Sequence, residues 1–193
     1  MKEDCLVVKK TVPTDICNFL CEYAMIKATA LTELLHHNAI SPYDNRFGFF
    51  GDIQIPSPTT FCIYGDGAFD TLLLKLQKLI EKETNKKLVP TYSFMRIYHK
   101  GDELEKHTDR HECEFSISLN LGGDEWPIFM AGKELKLSQG DLVIYKGCKI
   151  EHWREPFTGT RCFQVFLHYN DASSKDSNLF DNRIALGTDV KKT

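Results

Sequence analysis

Residues 114–121, EFSISLNL, alternate strictly between two kinds of side chain. Apolar residues occupy every second position, and serine or asparagine occupies the positions between them. Because successive side chains of a β-strand point to opposite faces, this pattern predicts a strand with one apolar and one polar face. After Leu88, six more stretches have the composition of short strands separated by Gly, Asp and Asn turns: TYSFMRIY, PIFMAG, KELKLS, DLVIYKG, KIEHW and TRCFQVFLHY.

Two helices are predicted before these strands, because apolar residues recur at helical spacing from Thr14 to Leu35 and from Ala68 to Thr84. Residues 38–66 are rich in Pro, Gly and other turn residues, and they predict a long loop that forms a wall or lid. The fold class expected is mainly β with N-terminal helices, a cupin-like double-sheet jelly roll buttressed by two helices.

No repeat or linker divides the chain, so one domain over residues 1–193 is expected. Within it, residues 1–88 supply the helical support and the long loop, and residues 89–169 supply the jelly-roll core. Residues 170–193 form a polar tail, which is expected to be loosely held.

The composition excludes several classes of protein. The 193 residues are 42% apolar and 26% charged, with a net charge of −3, which fits one globular domain without electrostatic attraction to nucleic acid or to a membrane. The first ten residues lack a signal-peptide pattern, and no apolar run has the length of a membrane span. Seven cysteines at irregular spacing then indicate reduced thiols, and a cytoplasmic protein is expected.

A metal site is suggested by residues 105–115, EKHTDRHECEF. In extended backbone, His107 and Asp109 leave the same face and could bind one divalent metal together. The third ligand could be His152, at the end of a predicted strand, or His111. Two histidines and one carboxylate form the facial triad of non-haem iron oxygenases, which favours His152. With His111 the site would be zinc-like, although a solvated histidine is the preferred interpretation there.

The last predicted strand contains an arginine in an apolar setting. Alternation places Arg161 on the same face as Phe163, Val165 and Leu167, so its guanidinium is expected to face the core. A buried charge requires a partner. The partner could be a ligand carboxylate, which a guanidinium binds as a two-pronged fork, or an acid at the end of the sheet.

Taken together, YHKGDELEKHTD, SISLNLGG, GDLVIYKG and HWREPFTGTR resemble the Fe(II)/2-oxoglutarate-dependent dioxygenases, and most closely their prolyl 4-hydroxylase-like branch. The resemblance covers about residues 92–169. It implies a double-stranded β-helix, in which Fe(II) is bound by three residues: His107, Asp109 and His152. It also implies that Arg161 pairs with the distal carboxylate of 2-oxoglutarate and that Tyr98 hydrogen-bonds this co-substrate.

Four further residues are candidates for the site or its surroundings. Ser118 stands where the family often has a tyrosine that holds the co-substrate. Arg96 shares a strand face with Tyr98, so it could bind a substrate anion, the other carboxylate of the co-substrate, or a structural acid. Trp153 is expected in the core, at its rim or at the substrate mouth, and His168 is expected to be a partly exposed sheet histidine.

The activity that the resemblance implies is hydroxylation of an unactivated C–H bond, most closely that of a peptidyl proline. The implied requirements are Fe(II), 2-oxoglutarate and dioxygen, with ascorbate as a further candidate. The expected partner is a peptide or protein substrate, with a small molecule as the alternative. Two other classes of function stay open: a cupin-like metalloenzyme that uses another metal without 2-oxoglutarate, and a non-enzymatic binding or sensor module.

Overall fold

The computed structural model describes residues 4–55, 57–175 and 177–192. Its two α-helices are α1 (Thr14–His36) and α2 (Gly67–Thr84). Short 3₁₀ helices span His111–Cys113 and Leu179–Asn182. The strands in chain order are β1 (Cys5–Val8), β2 (Phe49–Phe50), β3 (Phe61–Tyr64), β4 (Leu88–His99), β5 (Leu104–His107), β6 (Phe115–Gly123), β7 (Ile128–Met130), β8 (Lys133–Leu135), β9 (Leu142–Tyr145), β10 (His152–Arg154) and β11 (Arg161–Asp171).

These strands form two antiparallel sheets. The larger sheet has the order β1-β9-β6-β11-β4-β3-β2, and the smaller sheet has the order β5-β10-β7-β8. Strand β11 lies between β4 and β6, so it forms the middle of the larger sheet. The predicted fold class, mainly β with two helices in a double-sheet arrangement, is confirmed.

The two helices cover one face of the larger sheet. Leu20 and Ala24 of α1 join Leu73 and Ile80 of α2 in one buried cluster with the apolar residues of β4, β6 and β11. Asp66 caps the start of α2 by accepting a hydrogen bond from the backbone N–H of Ala68. The opposite face of the sheet is also buried, because it faces the smaller sheet across a cavity. Both faces of β11 are therefore closed to water.

Two regions differ from the sequence-based expectation. Residues 38–66 are not only a loop, because they contain β2 and β3, which extend the larger sheet beyond β4. Strand β5 was also missed, since Leu104–His107 is short and pairs with only one other strand, β10. Its sequence, LEKH, carries too little apolar alternation to be distinguished from a polar turn.

The C-terminal segment is held firmly, so the expectation of a loose tail was wrong. The side chain of Arg183 is fully buried, and its Nη1 donates to Asp70 Oδ2 of α2 at 2.6 Å. Asp70 also accepts from Ser93 Oγ at 2.7 Å and from the Gly187 N–H at 2.7 Å. These hydrogen bonds stabilise the buried charge of the Asp70 carboxylate. Through them, Asp70 connects the C-terminal segment to α2 and β4.

Among the described residues, neither helix is long and apolar enough to cross a membrane. The seven cysteines are in the thiol form, and Cys17 is a buried residue of α1, where its Sγ donates weakly to the Val12 carbonyl at 3.7 Å. Cys17 therefore packs as a small buried side chain.

Replacing Arg183 with alanine should destabilise the protein strongly, because it leaves the Asp70 carboxylate buried without its cationic partner. The free energy of unfolding should fall by about 3–5 kcal/mol, measured by urea denaturation. Arg46→Ala is the matched control, since Arg46 pairs with Asp44 on the surface, and it should leave the unfolding midpoint unchanged. Equal midpoints for the two variants would contradict a stabilising role for the buried pair.

Candidate metal centre

Two histidines are brought together by the pairing of β5 with β10. His107 ends β5 and His152 begins β10, and the register of this antiparallel pair sets them directly opposite each other. Opposite residues in a strand pair project to the same face, so both imidazoles enter the space between the two sheets. Their ring centroids are 4.2 Å apart.

The carboxylate of Asp109 completes the group. Its Oδ1 lies 3.6 Å from His107 Nε2 and 3.5 Å from His152 Nε2. Its backbone N–H donates to the Gly147 carbonyl at 2.9 Å, and its Oδ2 accepts from Ser116 Oγ at 2.6 Å. Hydrogen bonds therefore hold both the backbone and the side chain of Asp109, and its Oδ1 faces the two imidazole rings.

The Nδ1 atom of each imidazole orients the ring by a hydrogen bond, while Nε2 faces Asp109. His107 Nδ1 lies 2.8 Å from the Glu105 carbonyl, and His152 Nδ1 lies 3.0 Å from the Ile150 carbonyl. A carbonyl oxygen can only accept, so the proton is on Nδ1 and the lone pair is on Nε2 in both residues. Metal-binding histidines are usually oriented in this way by a hydrogen bond from the other nitrogen.

This donor set fits a divalent metal. The ligand atoms of His107, Asp109 and His152 all lie within 4.8 Å of one another. Burial raises the pKa of Asp109, but its interaction with the two neighbouring imidazoles outweighs burial and holds that pKa well below its usual range. The carboxylate is therefore ionised at neutral pH. Two imidazoles and one carboxylate leave several positions of an octahedral ion open, as in non-haem Fe(II) oxygenases.

The open side of this group faces a cavity of about 480 Å³. Phe49 of β2 and the loop residues Asp52, Ile53 and Gln54 supply part of its wall, so residues 38–66 contribute to the wall of the cavity. Most of the remaining wall is aromatic or apolar, and it comes from both sheets: Tyr64, Tyr92, Phe94, Leu104, Tyr145 and Phe166.

The predicted co-substrate residues occupy the inner face of the larger sheet. Arg96 lines the cavity; its Nη2 donates to Asp52 and to Gln54, and its Nη1 donates to the Tyr98 hydroxyl at 3.2 Å. The Tyr98 side chain is fully buried beyond the cavity wall. Ser118 is buried on β6, where its hydroxyl donates to Gln164 Oε1 at 3.4 Å, and it does not line the cavity.

Arg161, expected to bind the co-substrate, does not line the described cavity. It does share a face with Phe163 and Val165, but that face of β11 packs against the two helices. The reason is that β11 is buried on both sides, so an apolar strand face does not identify the side on which the cavity lies. Instead, the residues that alternate with it, such as Gln164 and Phe166, point inward.

Two inward-facing residues were missed or misjudged. His168 is not partly exposed but buried, because it faces the cavity across from Tyr92 and its Nδ1 donates to Ser116 Oγ at 3.0 Å. Burial lowers the pKa of His168 to about 4, so the ring is neutral. Arg154 also lies on the inner side, because the alternation in HWR places it on the same strand face as His152.

The remaining candidates lie outside the cavity. His111 begins the 3₁₀ helix after Asp109, is exposed, and belongs to no described group of metal-ligand atoms. Trp153 points away from the site and stacks on Phe129, with ring centroids 5.3 Å apart. Of the three places expected for Trp153, this position agrees with the rim of the core.

No protein-family model matches this chain, and no curated protein matches it. Several solved structures do. A prolyl-4-hydroxylase from Pseudomonas putida aligns with a TM-score of 0.59 at 14% identity, over 89% of this chain and 95% of that one. The viral collagen prolyl hydroxylase of Paramecium Bursaria Chlorella virus-1, in complex with 2-oxoglutarate, aligns at 0.61 and 11% identity, over 87% and 96%.

EctD from S. alaskensis, with bound Fe, aligns with a TM-score of 0.62 at 14% identity, over 93% of this chain and 76% of that one. Identities this low show the fold. The chain has the jelly-roll fold of the prolyl 4-hydroxylases and other 2-oxoglutarate-Fe(II) oxygenases, and the resemblance drawn from its motifs is confirmed at that level.

Replacing His107, Asp109 or His152 with alanine should abolish binding of one equivalent of Fe(II) or Mn(II), because each change removes one of only three ligands. The measurement is anaerobic calorimetry, with circular dichroism to show that the fold is kept. His111→Ala should bind metal as the wild type does. Loss of binding in His111→Ala together with normal binding in His152→Ala would show that the third ligand is His111.

Gly147→Ala should weaken metal binding by about 10–100-fold, the range found when groups that orient the ligands are disturbed. A Cβ at Gly147 would collide with Ser116 Oγ, Asp109 Oδ2 and the Cys113 carbonyl, so the carboxylate must move. Gly67→Ala is the control, because the added methyl meets only Gly187 Cα, at 4.0 Å. An unchanged metal Kd in Gly147→Ala would mean that the position of Asp109 is not critical.

Proposed function

We propose that the protein is an Fe(II)- and 2-oxoglutarate-dependent dioxygenase that hydroxylates an unactivated C–H bond. The observation that carries this proposal is the convergence of His107, Asp109 and His152 on one point at the wall of an aromatic-lined cavity. The fold supports it independently. Bound there, Fe(II) and 2-oxoglutarate would supply the means of activating dioxygen, with ascorbate as an aid that keeps the iron reduced.

The protein's own residues perform the remaining tasks. His107, Asp109 and His152 hold the metal on one side only, so that its other side faces the cavity. Ser116 holds Asp109 Oδ2 and is itself held by His168, so the carboxylate cannot rotate away. The aromatic wall excludes water from the reacting centre, which protects reactive species from side reactions.

The substrate proposed is a prolyl residue in a peptide or protein, with a small molecule as the alternative. A wall of aromatic rings suits the apolar pyrrolidine ring, and an extended proline-containing segment loses little conformational freedom on binding. Proteins of similar fold that act on proline, such as the viral collagen prolyl hydroxylase, add support by analogy.

Two measurements separate this proposal from its rivals. Anaerobic addition of 2-oxoglutarate to the Fe(II) protein should produce the visible charge-transfer band of a chelate, which a cupin-like enzyme without 2-oxoglutarate would lack. In air, formation of succinate with uptake of dioxygen is expected, and a non-enzymatic binding module would show neither. Absence of both signals in the wild-type protein would refute the proposed activity.

With a panel of proline-rich peptides, free amino acids and oligonucleotides, we expect peptides to raise succinate formation above the uncoupled background. The product should carry one added oxygen, and fragmentation in the mass spectrometer should locate it on proline. His152→Ala, tested on the same panel, provides the inactive control. If a free amino acid raises turnover and the peptides do not, the prolyl assignment is wrong while the dioxygenase assignment stands.

A further inference from the structure

A second group of side chains with metal-binding atoms adjoins the first group, which consists of His107, Asp109 and His152. In the second group, Asp109, Cys113 and His168 each offer one ligand atom, and these atoms lie within 4.8 Å of one another. All three residues line the cavity. Asp109 belongs to both groups, so the second group adds one sulfur and one further imidazole beside the first.

The carboxylate of Asp109 has one oxygen on the side of each group. Its Oδ1 lies 3.6 and 3.5 Å from the Nε2 atoms of the two imidazoles in the first group. Its Oδ2 accepts from Ser116 Oγ at 2.6 Å, and this hydroxyl also lies 3.0 Å from His168 Nδ1 and 3.2 Å from the Cys113 carbonyl. Oδ2 is therefore on the side of the second group. A carboxylate in this position can bind two cations, one through each oxygen.

His168 is oriented in the way that is usual for a metal ligand. Ser116 has a single hydroxyl proton, which it donates to Asp109, so its oxygen accepts from His168 Nδ1. The lone pair of the ring is then on Nε2, for which the described contacts include no hydrogen bond. The rings of His107 and His152 are oriented through Nδ1 in the same manner, by backbone carbonyls.

Cys113 supplies a kind of ligand that the first group lacks. Its side chain is 1% exposed, and its Sγ lies 3.0 Å from the Tyr92 hydroxyl. Among the described residues that line the cavity, it is the one cysteine. Thiolates favour cations such as Zn(II) and Co(II), whereas Mg(II) and Mn(II) favour oxygen ligands. Metal binding at this sulfur releases the thiol proton to solvent.

The charges around the second group are compatible with a bound cation. Arg110 packs against the ring of Tyr92, with its guanidinium 4.5 Å from the ring centroid. Its positive charge is compensated, because Asp181 and Glu112 both pair with it. A thiolate and a carboxylate together carry two negative charges, which match those of one divalent ion, so the burial of a net charge is avoided.

We propose that Asp109, Cys113 and His168 form a second metal site, which binds a thiophilic divalent cation of the Zn(II) class. The site lies in the cavity wall beside the first group and shares Asp109 with it. This inference goes beyond the proposed function, since it concerns metal binding alone and holds for any reaction that takes place at the first group.

Co(II) distinguishes the two groups, because a thiolate ligand produces a charge-transfer band in the near ultraviolet, whereas imidazole and carboxylate ligands do not. The experiment uses the full chain with His107→Ala and His152→Ala, which removes two ligands of the first group. Anaerobic addition of Co(II) should produce the band, with one equivalent bound. Zn(II) should abolish the band by displacing Co(II), and an excess of Mg(II) should leave it unchanged.

Cys113→Ser, made in the same background, should lose the band while circular dichroism shows that the fold is kept. Cys148→Ser is the matched control and should retain the band. Cys148 also lies close to Asp109, since its Sγ donates to the carbonyl of the next residue, Arg110, at 3.0 Å. The inference is overturned if no band forms, or if Cys113→Ser keeps the band.

If Cys113→Ser does not fold, the wild-type protein still decides the question. In crystals of the wild type soaked with Zn(II), anomalous scattering at the zinc edge should reveal an ion bonded to Cys113 and His168. The expected distances are about 2.3 Å to Sγ and about 2.0–2.1 Å to a ring nitrogen. Absence of a zinc peak at Cys113, with or without zinc at the first group, would overturn the second site.

Discussion

The pairing of β5 with β10 is the constraint on which the rest of the site depends. It sets His107 opposite His152, and a slip of one residue would turn one of the two imidazoles to the outer face of the sheet. The strands themselves are short, with four and three residues. Their register is reinforced by β7, which pairs with the other edge of β10 and opposes Met130 to His152. A small sheet of four strands thus positions two of the three candidate ligands.

The third candidate ligand is positioned by a different mechanism. Asp109 lies outside the strands, and it is held by a backbone bond to Gly147 and by the hydroxyl of Ser116 on the larger sheet. The close approach of these groups requires the absence of a side chain at residue 147. The candidate metal centre therefore joins the two sheets, and its geometry depends on how far apart the helix-covered larger sheet and the smaller sheet are held.

Much of this could be predicted from the sequence, because strand alternation and helical spacing are local properties. The two helices and most of the strands followed from such patterns. The grouping of His107, Asp109 and His152 rested instead on facial-triad chemistry and on the family resemblance, and the structure brings the ligand atoms of these three residues together. The position of Arg161 did not follow, since alternation shows which residues share a face but not which of two buried faces borders the cavity. That choice is made by the packing of the helices. The burial of the C-terminal segment likewise depends on Asp70, more than a hundred residues from its partner Arg183.

Chemistry and selectivity are carried by different parts of the fold. The candidate ligands and the inner arginines stand on or beside the paired strands, where hydrogen bonding leaves the backbone little freedom. The outer wall, in contrast, comes from the irregular segment that contributes Phe49, Asp52 and Gln54, and such segments can change without disturbing the sheets. The Asp52 carboxylate links the two parts, because its pair with Arg96 fastens the outer wall to β4. The outer wall could therefore vary in sequence while the candidate metal centre remains as it is.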